Sequence, residues 1–146
     1  MTEVAFHFGA PDKTAYACRL LRKAVGSGAK VVVLAEASLG ARLDEALWGV
    51  STIDFVPHCA DSATESVLRH SPVVFSTRLQ AHVGLTPPVL LQLCHPVPSG
   101  VQAYGRVIEL VSIDENDRLE ARQRWKTYAA WGMPIQKHDL ALKEQS

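Results

Sequence analysis

Residues 31–35 read Val31-Val32-Val33-Leu34-Ala35, an unbroken apolar run dominated by β-branched side chains. A run of that length and composition suits a strand buried on both faces. Ahead of it stand a first strand, Val4 to Phe8, and a helical repeat from Lys13 to Val25. In that repeat Tyr16, Ala17, Leu20, Leu21, Ala24 and Val25 recur at helical spacing. Gly9-Ala10-Pro11 turns the chain between the two, Asp12 is placed to cap the helix, and Gly26-Ser27-Gly28 stops it. Strand, helix and buried strand form a βαβ opening, which favours a parallel sheet covered on both sides.

The remainder continues the alternation. Ser38 caps a second helix running to Trp48, with Leu43, Leu47 and Val50 on one side and Gly49 at its end. A short extended piece from Ile53 to Val56 reaches Pro57, and residues 57–72 read as a polar loop. Further strands are predicted at Val73 to Phe75, Val89 to Leu93 and Val107 to Ser112, with a short helix at Val101 to Gly105. Asn116 or Asp117 caps a last helix that ends near Trp131, before Gly132 and Pro134. The expected architecture is an open three-layer α/β/α fold, Rossmann-like, with a mostly parallel sheet of about five to six strands. Residues 1–136 are expected to form one α/β domain and residues 137–146 a loose polar tail.

Composition narrows the function. Fifteen basic and fifteen acidic residues give a formal net charge of zero, so any anion site must be local and bulk-charge DNA binding is disfavoured. No apolar run approaches the roughly 18 residues of a membrane span, and Met1-Thr2-Glu3-Val4 does not open like a signal peptide. The expected compartment is the cytoplasm. Cys18, Cys59 and Cys94 are odd in number and far apart, which argues against a disulfide framework. His58-Cys59 and Cys94-His95 could supply zinc ligands, but adjacent residues chelate poorly and no C-x-x-C spacing exists. Gly9-Ala10-Pro11-Asp12-Lys13-Thr14 has the Lys-Thr pair of a phosphate loop without its glycines, and Pro11 removes an amide. There is no G-x-S-x-G elbow and no H-E-x-x-H. No cofactor, metal or catalytic group is expected.

Two clusters remain. In Arg118-Leu119-Glu120-Ala121-Arg122-Gln123-Arg124-Trp125-Lys126-Thr127-Tyr128, four cations and two aromatics share eleven residues. Helical spacing puts Arg118, Arg122, Trp125 and Lys126 on one face. Cations around an aromatic plate suit an acidic peptide tail, a carboxylate or a nucleic acid strand. The bland alternative has Leu119, Ala121 and Tyr128 facing the core and the cations merely solvated. The other cluster is Arg42-Leu43-Asp44-Glu45-Ala46-Leu47-Trp48, followed by Phe55-Val56-Pro57-His58. Its aromatics can finish the core or anchor a partner.

These clusters, in this order, resemble the chi subunit of bacterial DNA polymerase III. The likeness rests on Arg42 to Trp48, on Phe55 to His58, and on Arg124-Trp125-Lys126 with Tyr128 and Gly132. It implies a non-enzymatic accessory of the clamp loader that links the replisome to single-stranded DNA-binding protein. In that family the link is a grip on the protein's acidic C-terminal tail, which ends in phenylalanine and a free carboxylate. By the resemblance Arg118, Arg122, Trp125 and Lys126, with Val111, form the tail pocket. Trp48, Phe55, Val56 and Pro57 face the psi subunit. DNA would be met only indirectly. Where the family has tyrosine and lysine, this chain has Trp125 and Arg118, which keep the aromatic plate and the charge. The alternatives are a nucleotide-binding α/β domain and direct binding of single-stranded nucleic acid by the cationic helix.

Overall fold

The computed structural model describes residues 2–48, 58–60, 72–77, 79, 89–93, 97–98 and 100–140. Phe55, Val56 and Pro57, and the Trp48 side chain, lie outside the described residues. Seven strands form one sheet: β1 (Glu3–Ala10), β2 (Val31–Leu34), β3 (His58–Ala60), β4 (Val73–Ser76), β5 (Val89–Gln92), β6 (Arg106–Ser112) and β7 (Ile135–Asp139). Their order is β3-β4-β2-β5-β6-β1-β7, and every pairing is parallel. Three helices complete the described fold: α1 (Lys13–Gly26), α2 (Ala37–Trp48) and α3 (Glu115–Ala130). A 3-10 turn spans Val101–Ala103.

Alternation along the strands divides the core into two layers. Val31, Val33, Ile108 and Leu110 point to one side, where Ala17, Cys18 and Leu21 of α1 and Leu43 and Leu47 of α2 cover them. Val4, Phe6, Val32, Leu34, Val107 and Val111 point to the other, under Ala121 and Tyr128 of α3 and Tyr104 after the 3-10 turn. The open α/β/α expectation therefore holds.

The differences lie at the ends of elements. Asp12 does cap α1, accepting from the Ala15 amide at 3.0 Å. For α3 the cap is Asp114 rather than the expected Asn116 or Asp117, accepting from the Asp117 amide at 3.0 Å. Asp117 is thereby freed for a different bond, described below. The third strand falls at His58–Ala60, beyond the expected extended piece at 53–56, which lies outside the described residues. The polar segment expected to be loose from residue 137 instead joins the sheet as far as Asp139, and Leu140 is buried. Backbone pairing with β1 needs no apolar side chains, so a polar sequence can serve as an edge strand. On one face of β7 the His138 ring lies 4.6 Å from that of His7, and on the other Lys137 reaches Trp125.

Candidate functional site: a cationic groove beside the last helix

β1 and β6 run side by side in parallel, so both finish at the same end of the sheet. At that end Gly9 adopts φ +82°, a conformation that favours glycine, and the pairing register slips between Phe8 and Ala10. The Ala10 carbonyl then accepts from the Ile113 amide at 3.2 Å, which steers the chain from β6 toward α3. Asp117, in the first turn of α3, accepts from the Ser112 amide at 2.7 Å and pairs with Lys13 of α1 at 3.1 Å. Burial works against the charge on Asp117, but the Ser112 amide and the Lys13 ammonium outweigh it and hold the carboxyl below its usual range.

The rotation of α3 about its own axis is fixed from beneath. Glu109 of β6 is fully buried and accepts from Arg124 Nε at 2.9 Å, from the Tyr128 hydroxyl at 2.6 Å and from Gln92 Nε2 at 3.3 Å. Burial drives the Glu109 carboxyl up, while Arg124 and Tyr128 pull it back. Three donors, one of them a paired guanidinium, suit the ionised form. Burial and the adjacent carboxylate together push the Tyr128 hydroxyl well above its ordinary range, so it stays protonated and donates. One of the four cations of the segment is thus not a surface residue at all. Arg124 is 3% exposed, because a lone carboxylate in a central strand demands a partner from the helix above it.

With Ala121, Arg124 and Tyr128 turned inward, helical geometry of about 100° per residue carries Trp125, Arg118 and Arg122 successively round to one flank. There they meet the ends of β1, β6 and β7. Phe6, Phe8, Gly9, Val111, Ser112, Ile113, Arg118, Ala121, Arg122, Trp125, Lys137 and Asp139 line a groove of ≈ 530 Å³. Trp125 leans on Phe6 with ring centroids 4.9 Å apart, so the indole is half-buried and presents its remaining surface to the groove. Four of the five residues assigned to a tail pocket, Val111, Arg118, Arg122 and Trp125, come together here. Lys126 is exposed and is not among the lining residues, sitting about 100° round the helix from Trp125. Leu119, which the bland reading turned inward, is 48% exposed.

Phe6, Phe8, Ile113, Lys137 and Asp139 were not singled out from sequence. Phe6 and Phe8 were visible only as alternate members of a strand. Lys137 was hidden because its segment lacks the apolar alternation that marks a strand. Ile113 stands 63% exposed at the groove's rim, an unusual place for a large aliphatic side chain.

Residues 1–136 match the family described as DNA polymerase III chi subunit, HolC. The chain belongs to this chi family. It is also similar to the DNA polymerase III subunit chi of Pseudomonas aeruginosa, 32% identical over 126 residues that cover 85% of this chain and 84% of that protein. The family match spans β1 to the start of β7 and so takes in the α3 wall of the groove, ending just before Lys137 and Asp139. Among the described residues no helix is long and apolar enough to cross a membrane.

Proposed function

We propose that this chi-family protein is a non-catalytic adaptor of DNA polymerase III. Its groove receives the acidic C-terminal tail of single-stranded DNA-binding protein, and its Trp48/Phe55/Val56/Pro57 edge docks psi. In this reading it works in the bacterial cytoplasm, meets DNA only through its partner and needs no cofactor. The observation that carries the reading is the convergence of Arg118 and Arg122 with Trp125 and Val111 around one groove. Neither arginine forms an ion pair among the described residues, so both guanidinium groups are available to an acidic ligand. A phenyl ring would pack on Trp125 and Val111, while the arginines meet the tail's carboxylates. The nucleotide alternative is weakened by Lys13, the cation a phosphate loop would need, which is paired with Asp117.

Titration of a fluorescent acidic peptide ending in phenylalanine tests the reading. Binding of roughly micromolar strength, weakening as salt rises, is expected for one short charged peptide with a single aromatic anchor. Removing the last phenylalanine should abolish most of it. Equal binding of the full and shortened peptides would sink the pocket.

A further inference from the structure

The groove has two walls. One is α3, with Arg118, Arg122 and Trp125; the other is the edge strand β7, with Lys137 and Asp139. Lys137 extends its ammonium over the Trp125 ring, 5.2 Å from the ring centroid. It is thus a cation brought to the indole from outside the helix. We propose that Lys137 is the residue that reads the free α-carboxylate at the end of the bound peptide, and so makes the groove specific for a chain terminus. The inference rests on the tail reading and adds to it a role for β7.

The geometry separates the cations by task. In the proposed complex a terminal phenylalanine packs its ring against Trp125 and Val111. Its carboxylate is joined to that ring through only the α and β carbons, so it must lie beside the indole. Lys137 is already there. Arg118 is seven positions before Trp125, about 10 Å away along the helix axis at 1.5 Å per residue. That offset matches acidic side chains about three residues upstream in an extended peptide, at roughly 3.3 Å per residue. Without ligand, the Lys137 ammonium rests on the electron-rich face of the indole. When the phenyl ring arrives it exchanges that weak contact for a charge-assisted hydrogen bond to the carboxylate. An internal acidic segment offers no α-carboxylate and draws nothing from Lys137.

The test is a double-mutant cycle read by fluorescence anisotropy. The probes are an acidic peptide ending in phenylalanine with a free carboxylate, the same peptide amidated, and one lacking the phenylalanine. The proteins are wild type, Lys137→Met and Arg118→Met. Methionine keeps an unbranched apolar stem over the indole and removes only the charge. Wild type should bind the amide about tenfold more weakly than the acid, the size of one charged hydrogen bond. Lys137→Met should lose about the same factor on the acid and cease to distinguish the two. Arg118→Met should weaken both peptides and still distinguish them. Unchanged discrimination by Lys137→Met would overturn the assignment to Lys137 and leave the tail reading standing. Equal binding of acid and amide by wild type, with the phenylalanine still required, would do the same. Indifference of wild type to the phenylalanine would overturn the tail reading and this inference with it.

Discussion

Replacing Arg124 with methionine leaves the Glu109 carboxylate buried with Tyr128 and Gln92 but without its counter-ion. Breaking a buried pair from one side typically costs about 3–5 kcal/mol. Urea unfolding of Arg124→Met should show a loss of that order, and adding Glu109→Gln should restore part of it. The pH dependence has a definite sign. Without Arg124, the folded-state pKa of Glu109 rises further above its unfolded value. The defect should therefore be small at low pH and grow as pH rises through the folded-state pKa. Asp117 behaves in the opposite sense. Its carboxyl is held low in the folded protein, so its contribution is present above the unfolded value of about 3.9 and is lost as pH falls below it. Asp117→Asn should be less stable than wild type at pH 7, and the gap should narrow as pH falls through the lowered folded-state pKa. At the groove, Trp125→Ala should abolish measurable binding of the phenylalanine-ended peptide, while Lys126→Ala should change it little beyond a weak salt-dependent term. The second half departs from the sequence-based expectation, which counted Lys126 in the pocket.

Among the elements, β2 and α1 were fully legible, because a β-branched run and a clean helical repeat each leave one solution. α3 was legible as a helix but not in its orientation. Its apolar residues are too few to define a face, and the residue that sets its rotation is a buried arginine amid cations that look solvated. The only hint was Glu109, a single charge inside the apolar alternation of β6, whose partner no single sequence identifies. β7 was not legible at all. Ile135-Gln136-Lys137-His138-Asp139 has the composition of a surface loop, and its strand character comes from the free edge of β1. The capping residue offers an element-scale prediction. Asp114→Ala removes the acceptor for the Asp117 amide and should lower stability by about 1 kcal/mol in thermal or urea melts.

Over the whole molecule the groove and the last turn of α2 lie apart. α2 belongs to the face shared with α1. Because it leaves the carboxyl end of β2 and runs back over a parallel sheet, its Trp48 end lies at the amino ends of the strands. The groove lies on the α3 face at the carboxyl ends, beside the opposite edge of the sheet. Two ligands so placed should not compete. Calorimetric titration of the tail peptide into the free protein and into its complex with psi should give the same affinity. The strand order also bears on synthesis. β1 is the first strand made, yet its neighbours are β6 and β7, the last two. While residues 11–105 emerge from the ribosome, both hydrogen-bonding edges of an apolar strand carrying Val4, Phe6 and Phe8 have no native partner. An apolar strand therefore stays unpaired until β6 has been made, and over that interval it is open to non-native edge pairing.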